Sequence, residues 1–224
     1  FGLAETLEDM GTQGISPTHK ELLDHLSWKF MNEFNWSIKK LLKEMVMSAT
    51  YRQDSKTNDE LIKKDPENKL YARGPRVRLS AEQLRDQTLA VSNLLSIKMY
   101  GKSVMPFQPD GIWLSPNKKK KWVMSEGEDQ YRRAVYTYMK RTAAYPSMIT
   151  FDGGSREVCI TRRIRTNTPL QALTLLNDSA YLVLARGFAN HMMNTGGNDV
   201  KRSIVAGYQA MLYKPLADSK LKVL

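Results

Sequence analysis

Apolar side chains recur every three or four residues in two segments near the start of the chain. The spacing runs through residues 17–34 and again through residues 37–49, and it is the period of an amphipathic helix. Thr18 and Glu21 have the spacing of a capping box for the first segment. Because only a short break separates the two segments, we predict a helical hairpin within residues 1–50.

The same signals predict more helices further along. Residues 80–99 and 168–188 combine helical apolar spacing with a Ser or Thr followed three residues later by Gln, which is a capping-box pattern. A last helix is predicted over residues 200–212. Residues 131–142 fit both a strand and a helix, and we favour the helix.

The stretch 101–128 has no apolar period. Its glycines, prolines and lysine run 118–121 predict a long surface loop, which Trp113 and Trp122 could hold against the body of the protein. A basic run flanked by tryptophans also suits a strip that binds nucleic acid or a polyanionic glycan. A solvated loop is the simpler interpretation of this stretch.

Together these patterns predict an all-α fold of about six helices with long loops and little or no sheet. Residues 51–78 are predicted to be a loop with one helical turn at residues 59–64, and residues 166–224 hold the C-terminal helices. We assign residues 1–224 to a single helical domain. The chain begins with Phe rather than Met, and we expect it to be a fragment of a larger protein.

The charge is uneven along the chain. Its 34 lysines and arginines and 23 acidic residues give a formal net charge of +11, and the excess lies in residues 73–165. An anionic partner would therefore bind within these residues. A solvated basic surface that binds no partner would have the same composition. No apolar run is long enough to span a membrane.

Two groups of arginines precede predicted helix starts. One group lies before Ser80 and the other before Pro169, and a helix N-terminus with guanidinium groups suits an anion. Alternatively, the first group (Arg73, Arg76 and Arg78) pairs with Glu82, Asp86 or loop carbonyls. Asp152 and Asp178 are the acids nearest to the second group and could be its buried ion-pair partners. The candidate anion-binding residues are Arg76, Arg78, Arg132, Arg133, Arg162 and Arg163.

Catalytic chemistry has little support in the sequence. Asp152 and His19 are weak candidates for acid–base groups, and Asp152 could equally be an ion-pair partner. Cys159 is the one cysteine, so an internal disulfide, a haem-attachment CxxCH motif and a cysteine-rich zinc site are excluded. We expect its thiol to be buried and inert, and we predict no metal site and no cofactor in this chain.

Four motifs along the chain belong together. They are Ser16-Pro17-Thr18-His19, Trp36-Ser37-Ile38-Lys39, Asp65-Pro66-Glu67-Asn68 and the block TNTPLQALTLLND at residues 166–178. They resemble an uncharacterised domain of exported planctomycete and Bacteroidetes proteins that also carry a cytochrome c-like domain. The resemblance covers nearly the whole chain, and the block at residues 166–178 is its most specific part. Lys214 departs from it, standing where the pattern has arginine.

The resemblance implies a periplasmic or cell-surface location and a cytochrome c-like domain elsewhere in the parent protein. It implies no established activity. We therefore expect a non-catalytic interaction or scaffold module with a basic surface, which contacts other domains of its parent or a polyanionic glycan. The alternative is part of an enzyme that acts on acidic or sulfated polysaccharide. Nucleic acid suits the charge but conflicts with export.

Overall fold

The computed structural model describes residues 3, 4, 6, 12–111, 121–141, 143–197 and 199–223. The predicted fold class is confirmed, because this part of the chain holds nine α-helices and only two isolated β-bridges. The chain divides into two compact units, residues 1–77 and residues 78–224. That residues 1–224 act as a single domain stays a prediction.

The first unit contains the predicted hairpin. Its helices are α1 (Lys20–Asn32), α2 (Ile38–Met47) and α3 (Asp59–Lys64). Asn35 and Trp36 make the turn between α1 and α2 with positive φ angles of 48° and 60°, and Lys29 Nζ lies 2.9 Å from Glu44 Oε1 across the pair. Ser37 caps α2 by accepting a hydrogen bond from the backbone N–H of Lys40.

The predicted cap of α1 is wrong. His19 occupies the N-cap position, and no side chain caps the helix. The Thr18 hydroxyl lies 3.0 Å from His19 Nδ1 and 3.3 Å from the Tyr71 hydroxyl instead. The start of this helix is therefore fixed by contacts to a distant part of the chain.

The second unit is built around four longer helices. They are α4 (Ala81–Val91), α6 (Pro169–Asn177), α7 (Ser179–Gly196) and α8 (Val200–Leu212). Shorter elements complete it: α5 (Pro146–Thr150), α9 (Asp218–Leu221) and two 3₁₀ helices, Gly127–Tyr131 and Ala134–Tyr136. These short elements explain why the structure has more helices than the apolar period predicts.

The core of the second unit lies where α4, α5 and α7 meet. Its buried residues come mainly from these three helices, and Leu84, Trp122 and Leu184 pack against them. The buried set is Ala81, Ala134, Tyr145, Met148, Phe151 and Tyr181. Tyr145 stacks on Trp122, and Phe151 meets Tyr181 edge to face.

Two predicted helices end earlier than expected. The helix predicted over residues 80–99 stops at Val91, because Ser92 donates to the carbonyl oxygens of Thr88 and Leu184 and Asn93 has a φ of +56°. The helix predicted over residues 168–188 breaks at Asp178. The extended backbone of Asp178 ends α6, and its carboxylate caps α7 by accepting from the N–H of Ala180.

The helix predicted over residues 131–142 is also wrong. This segment forms short 3₁₀ turns and extended pieces that bridge to Ser96 and Val104. The backbone N–H of Val104 donates to Tyr136, and that of Tyr138 donates to Val104. A regular strand does not form in this described segment either, because Tyr136 lies in a 3₁₀ helix and Thr137 makes only an isolated bridge.

Part of the stretch 101–128 lies in the interior. Val104, Pro106 and Gln108 are buried, and the indole N–H of Trp122 donates to the Pro106 carbonyl at 2.8 Å. Trp122 also stacks on Tyr145 and packs against the core, so it holds this stretch against the rest of the second unit as expected. Residues 112–120, with Trp113 and Lys118–Lys120, lie outside the described residues.

Candidate functional site

Asp152 lies at the centre of a hydrogen-bonded cluster in the second unit. It follows α5 with a φ of +60°, and its Oδ2 accepts from Arg78 Nη2 at 2.5 Å and from the N–H of Thr166 at 2.7 Å. The Thr166 hydroxyl and the Gln171 amide add further bonds. The Thr166 N–H, more than any other group, lowers the pKa of Asp152, with help from Arg78. Asp152 is thus an ionised acceptor that ties three segments together.

Two more of the predicted arginines pair with acids on α4. Arg163 Nη1 lies 2.8 and 2.9 Å from the two carboxylate oxygens of Glu82, and Arg133 Nε lies 3.1 Å from Asp86. Burial alone would raise the pKa of Glu82, but a backbone N–H and Arg163 lower it overall. The sequence predicts these two acids as partners of the arginines before Ser80, but Arg78 pairs with Asp152 instead. Arg73 and Arg76 donate to the loop carbonyls of Pro66 and Ser55, as the same alternative expects.

Arg132 is buried, with 2% of its surface exposed. Its guanidinium donates to the carbonyl oxygens of Lys98, Tyr100 and Lys102 and lies 3.8 Å from the centre of the Tyr136 ring. These contacts shape the turn after residue 96. An anion would have to displace backbone carbonyls to bind this side chain, so its predicted anion-binding role gains no support.

Arg162 and Cys159 are both exposed. The expectation of a buried thiol is therefore wrong, because the segment from 155 to 165 lies on the surface rather than in the core. Arg78, Arg133 and Arg163 are each paired with a carboxylate, and anion binding by the six candidate arginines stays a prediction.

A cavity in the first unit brings other basic residues together. We call it the arginine cleft. It has a volume of about 490 Å³, within the usual range for ligand pockets. Its lining residues are Thr18, Ser55, Thr57, Glu67, Asn68, Lys69, Tyr71, Arg73, Gly74, Pro75 and Arg76.

The loop that forms this cleft is held by its own side chains. Asp65 is 6% exposed, and its carboxylate accepts from the N–H groups of Lys69 and Leu70 at 2.7 and 2.8 Å. Asn68 exchanges two hydrogen bonds with the backbone of Arg73. A Cβ on Gly74 would lie 2.7 Å from the Gln53 carbonyl oxygen, so only glycine fits there. The cleft is therefore preorganised.

The charge lining the cleft is mainly positive. Lys69, Arg73 and Arg76 line it together with a single acid, Glu67, which lies 2.8 Å from Lys69 Nζ. Arg73 Nη2 donates to the Pro66 carbonyl at 2.8 Å, and no described atom accepts from its buried Nη1. Within the described part of the chain, neither arginine forms an ion pair with a carboxylate. Arg76 is exposed and has only its Nε engaged, so its two terminal nitrogens face no described acceptor, whereas the Nη1 of Arg73 is buried.

His19 lies beside this cleft. Its ring stacks on Tyr71 with ring centres 4.6 Å apart, and both Tyr71 and Thr18 belong to the lining. The structure therefore places two predicted residues, His19 and Arg76, at the same site. Asp152 and the remaining candidates belong to the second unit.

A family model described as a protein of unknown function, PSD1 (DUF1553), matches residues 1–224. The chain belongs to the PSD1 family. This confirms the resemblance to an uncharacterised domain, while the association with cytochrome c-like domains stays a prediction. No curated protein and no solved structure matches the chain.

The described residues contain neither a candidate metal site nor a candidate membrane-spanning helix. Within those ranges, no three His, Cys, Asp or Glu side chains are grouped so that they could hold a metal ion. No described helix has the length and apolar character needed to cross a bilayer.

Sequence reasoning left Lys69 and Tyr71 out of the candidate site. The available signal was the Asp65-Pro66-Glu67-Asn68 turn followed closely by Arg73 and Arg76, which indicates a structured basic loop rather than a helix start. The helix start at Ser80 favours Arg78 as an anion ligand instead, but Arg78 pairs with Asp152.

Proposed function

We propose that this PSD1 domain is a non-catalytic interaction module whose arginine cleft binds an acidic polysaccharide. The observation that carries the proposal is the convergence of Lys69, Arg73 and Arg76 on one preorganised cavity of about 490 Å³ with one acid in its lining. From the resemblance, we also expect the protein to be exported and this domain to contact other domains of its parent protein.

The cleft suits a polymer with carboxylate or sulfate groups. Guanidinium groups bind such oxyanions through two parallel hydrogen bonds, and Arg76 has only its Nε engaged, with the Ser55 carbonyl at 3.1 Å. Tyr71 adds an aromatic face next to these charges. A cleft that combines cations with an aromatic wall matches a charged sugar better than a metal ion or an apolar ligand.

The composition of the lining favours binding over hydrolysis. Most glycoside hydrolases use a pair of carboxyl groups on either side of the bond that is cleaved. Glu67 is the one acid among the described lining residues, and it already pairs with Lys69. A binding role needs no second acid.

The test compares polygalacturonate, chondroitin sulfate, neutral dextran and duplex DNA as ligands of the full chain. We expect the two acidic glycans to bind, with an affinity that falls as salt rises, and dextran not to bind. The double variant Arg73→Gln/Arg76→Gln should weaken glycan binding at least about tenfold, since each removes a charge-assisted contact.

Arg163→Gln is the matched control, because this arginine lies in the other unit and pairs with Glu82. It should leave glycan binding unchanged. Equal effects of the control and of the double variant would refute the cleft as the site. DNA binding that exceeds glycan binding and depends on the same arginines would refute the ligand class.

A catalytic alternative rests on the position of His19. Its Nδ1 contacts Thr18 and its ring covers Tyr71, so a proton donor or acceptor lies next to the cleft. Release of reducing ends from either acidic glycan, lost in His19→Gln but retained in His25→Gln, would favour the enzyme. Binding without any turnover would favour the interaction module.

A further inference from the structure

A second cavity lies in the second unit, and its one charged residue is Arg85. It has a volume of about 130 Å³. Arg85 extends from α4 and is only 7% exposed. Its Nη2 donates to the Gln130 carbonyl at 2.9 Å, and its guanidinium lies over the ring of Tyr145 at 5.8 Å from the ring centre. We call this space the Arg85 cavity.

The charge of Arg85 is not balanced by an acid. No carboxylate in the described ranges lies within ion-pair distance of it, and the buried Nε has no described acceptor. The neighbouring Asp86 is engaged by Arg133 and by the N–H of Ala134. A buried cation without a partner is strongly unfavourable, and burial accordingly lowers the pKa of Arg85.

The rest of the wall is mostly apolar and opens to solvent on one side. Leu89 and Pro106 are fully buried, whereas Met124 and Val183 are 45% and 43% exposed. Phe107 and Leu184 complete the apolar lining. Met124 and Val183 are therefore the solvent-facing part of a lining that also contains the Arg85 guanidinium.

We propose that the Arg85 cavity binds a small monocarboxylate, with its carboxylate on the Arg85 guanidinium and its apolar body against Leu89, Pro106 and Phe107. The volume sets the size, because an apolar protein cavity of about 150 Å³ accepts benzene. At about 130 Å³ the Arg85 cavity is slightly smaller, so a short aliphatic chain fits within it, and a benzene ring extends toward the half-exposed Met124 and Val183. The carboxylate supplies the counter-charge and the acceptors that the arginine lacks.

The test uses benzoate as the probe, with benzamide as its uncharged analogue of equal shape. The full chain, labelled at methionine methyl groups, is titrated with each compound and followed by NMR. We expect benzoate to shift the methyl signal of Met124, and benzamide to bind at least about tenfold more weakly. Following Met124 separates this site from the arginine cleft, which contains no methionine.

Two variants keep the proposal testable even if one of them folds poorly. Arg85→Met removes the charge and should abolish the preference for benzoate over benzamide. Val183→Trp narrows the half-exposed entrance without removing Arg85, and it should weaken the binding of both compounds. Equal affinity of the two compounds for the unmodified chain, or benzoate binding that survives both variants, would overturn the proposal.

Discussion

The Asp152 cluster allows a quantitative prediction for the variant Asp152→Asn. Asparagine keeps the size of the side chain and tolerates the φ of +60° at this position. It can still accept from the N–H of Thr166, while the Thr166 hydroxyl rotates to accept from the new amide group. The charge opposite Arg78 is the main property that the substitution removes.

The burial of the pair sets the expected loss of stability. The side chains of Arg78 and Asp152 are 25% and 21% exposed, and the described residues offer no acceptor to the buried Nε and Nη1 of Arg78. Breaking a fully buried ion pair costs ~3–5 kcal/mol, whereas exposed pairs contribute ~0–1 kcal/mol. We therefore expect Asp152→Asn to lower the free energy of unfolding by ~1–3 kcal/mol.

Urea unfolding followed by circular dichroism measures this change. The comparison requires that the free energy of unfolding falls with urea concentration at the same slope in both proteins. Glu157→Gln is the control, since Glu157 is exposed and its substitution should change stability by less than ~0.5 kcal/mol. An Asp152→Asn variant as stable as this control would refute the reasoning.

The pH dependence of the same comparison checks its electrostatic origin. The pKa of Asp152 is lowered in the folded protein, so its contribution is fully present above the unfolded value of about 3.9. That contribution is lost as the pH falls through the lower folded value. The difference between the original chain and Asp152→Asn should therefore be constant near neutral pH and shrink in acid.

Three further substitutions test the packing of the second unit by the same unfolding assay. Arg132→Lys should destabilise by ~2 kcal/mol or more, because lysine cannot serve several carbonyls and stack on Tyr136 at once; a neutral result would contradict the assigned role. Gly196→Ala should destabilise more than Gly207→Ala, because its Cβ would lie 2.4 Å from the backbone nitrogen of Ser203, whereas Gly207 faces a flexible methionine side chain. The opposite order would contradict this packing.

The starts of α4 and α6 could be predicted from the sequence because their signals are local, although the predicted cap of α1 is wrong. Ser80 and Thr168 cap the helices that they are expected to cap, and they form complete capping boxes with Gln83 and Gln171. A side-chain oxygen that serves an N–H three residues away is fixed by spacing alone. The helix ends were less predictable.

The early ends of two helices depend on contacts that spacing does not encode. Ser92 bonds to the carbonyl of Leu184, which is distant in the sequence. Asp178 could have continued a helix, and it instead starts α7 because its carboxylate caps the N–H of Ala180. Residues that compete for backbone hydrogen bonds can cap or interrupt a helix, and tertiary packing decides which.

The candidate site shows the same division between local and distant information. The sequence shows that most of the excess positive charge lies in residues 73–165. It does not show which of these arginines have an acid beside them in the folded protein. Arg163 lies far from Glu82 in the sequence, and their pairing appears only in the fold. The basic stretch therefore contains structural ion pairs as well as candidate ligand contacts.

An arginine whose guanidinium has no carboxylate partner is a better candidate for binding an anion than an arginine that merely lies in a basic stretch of the sequence. Arg78, Arg133 and Arg163 each face a carboxylate, so an incoming anion would compete with an existing pair and meet the charge of that acid. Arg76 and Arg85 meet no such competitor in the described residues. The first lines an open polar cleft and the second a narrow apolar cavity. Their surroundings thus favour different ligands, a charged polymer for one and a small carboxylate for the other.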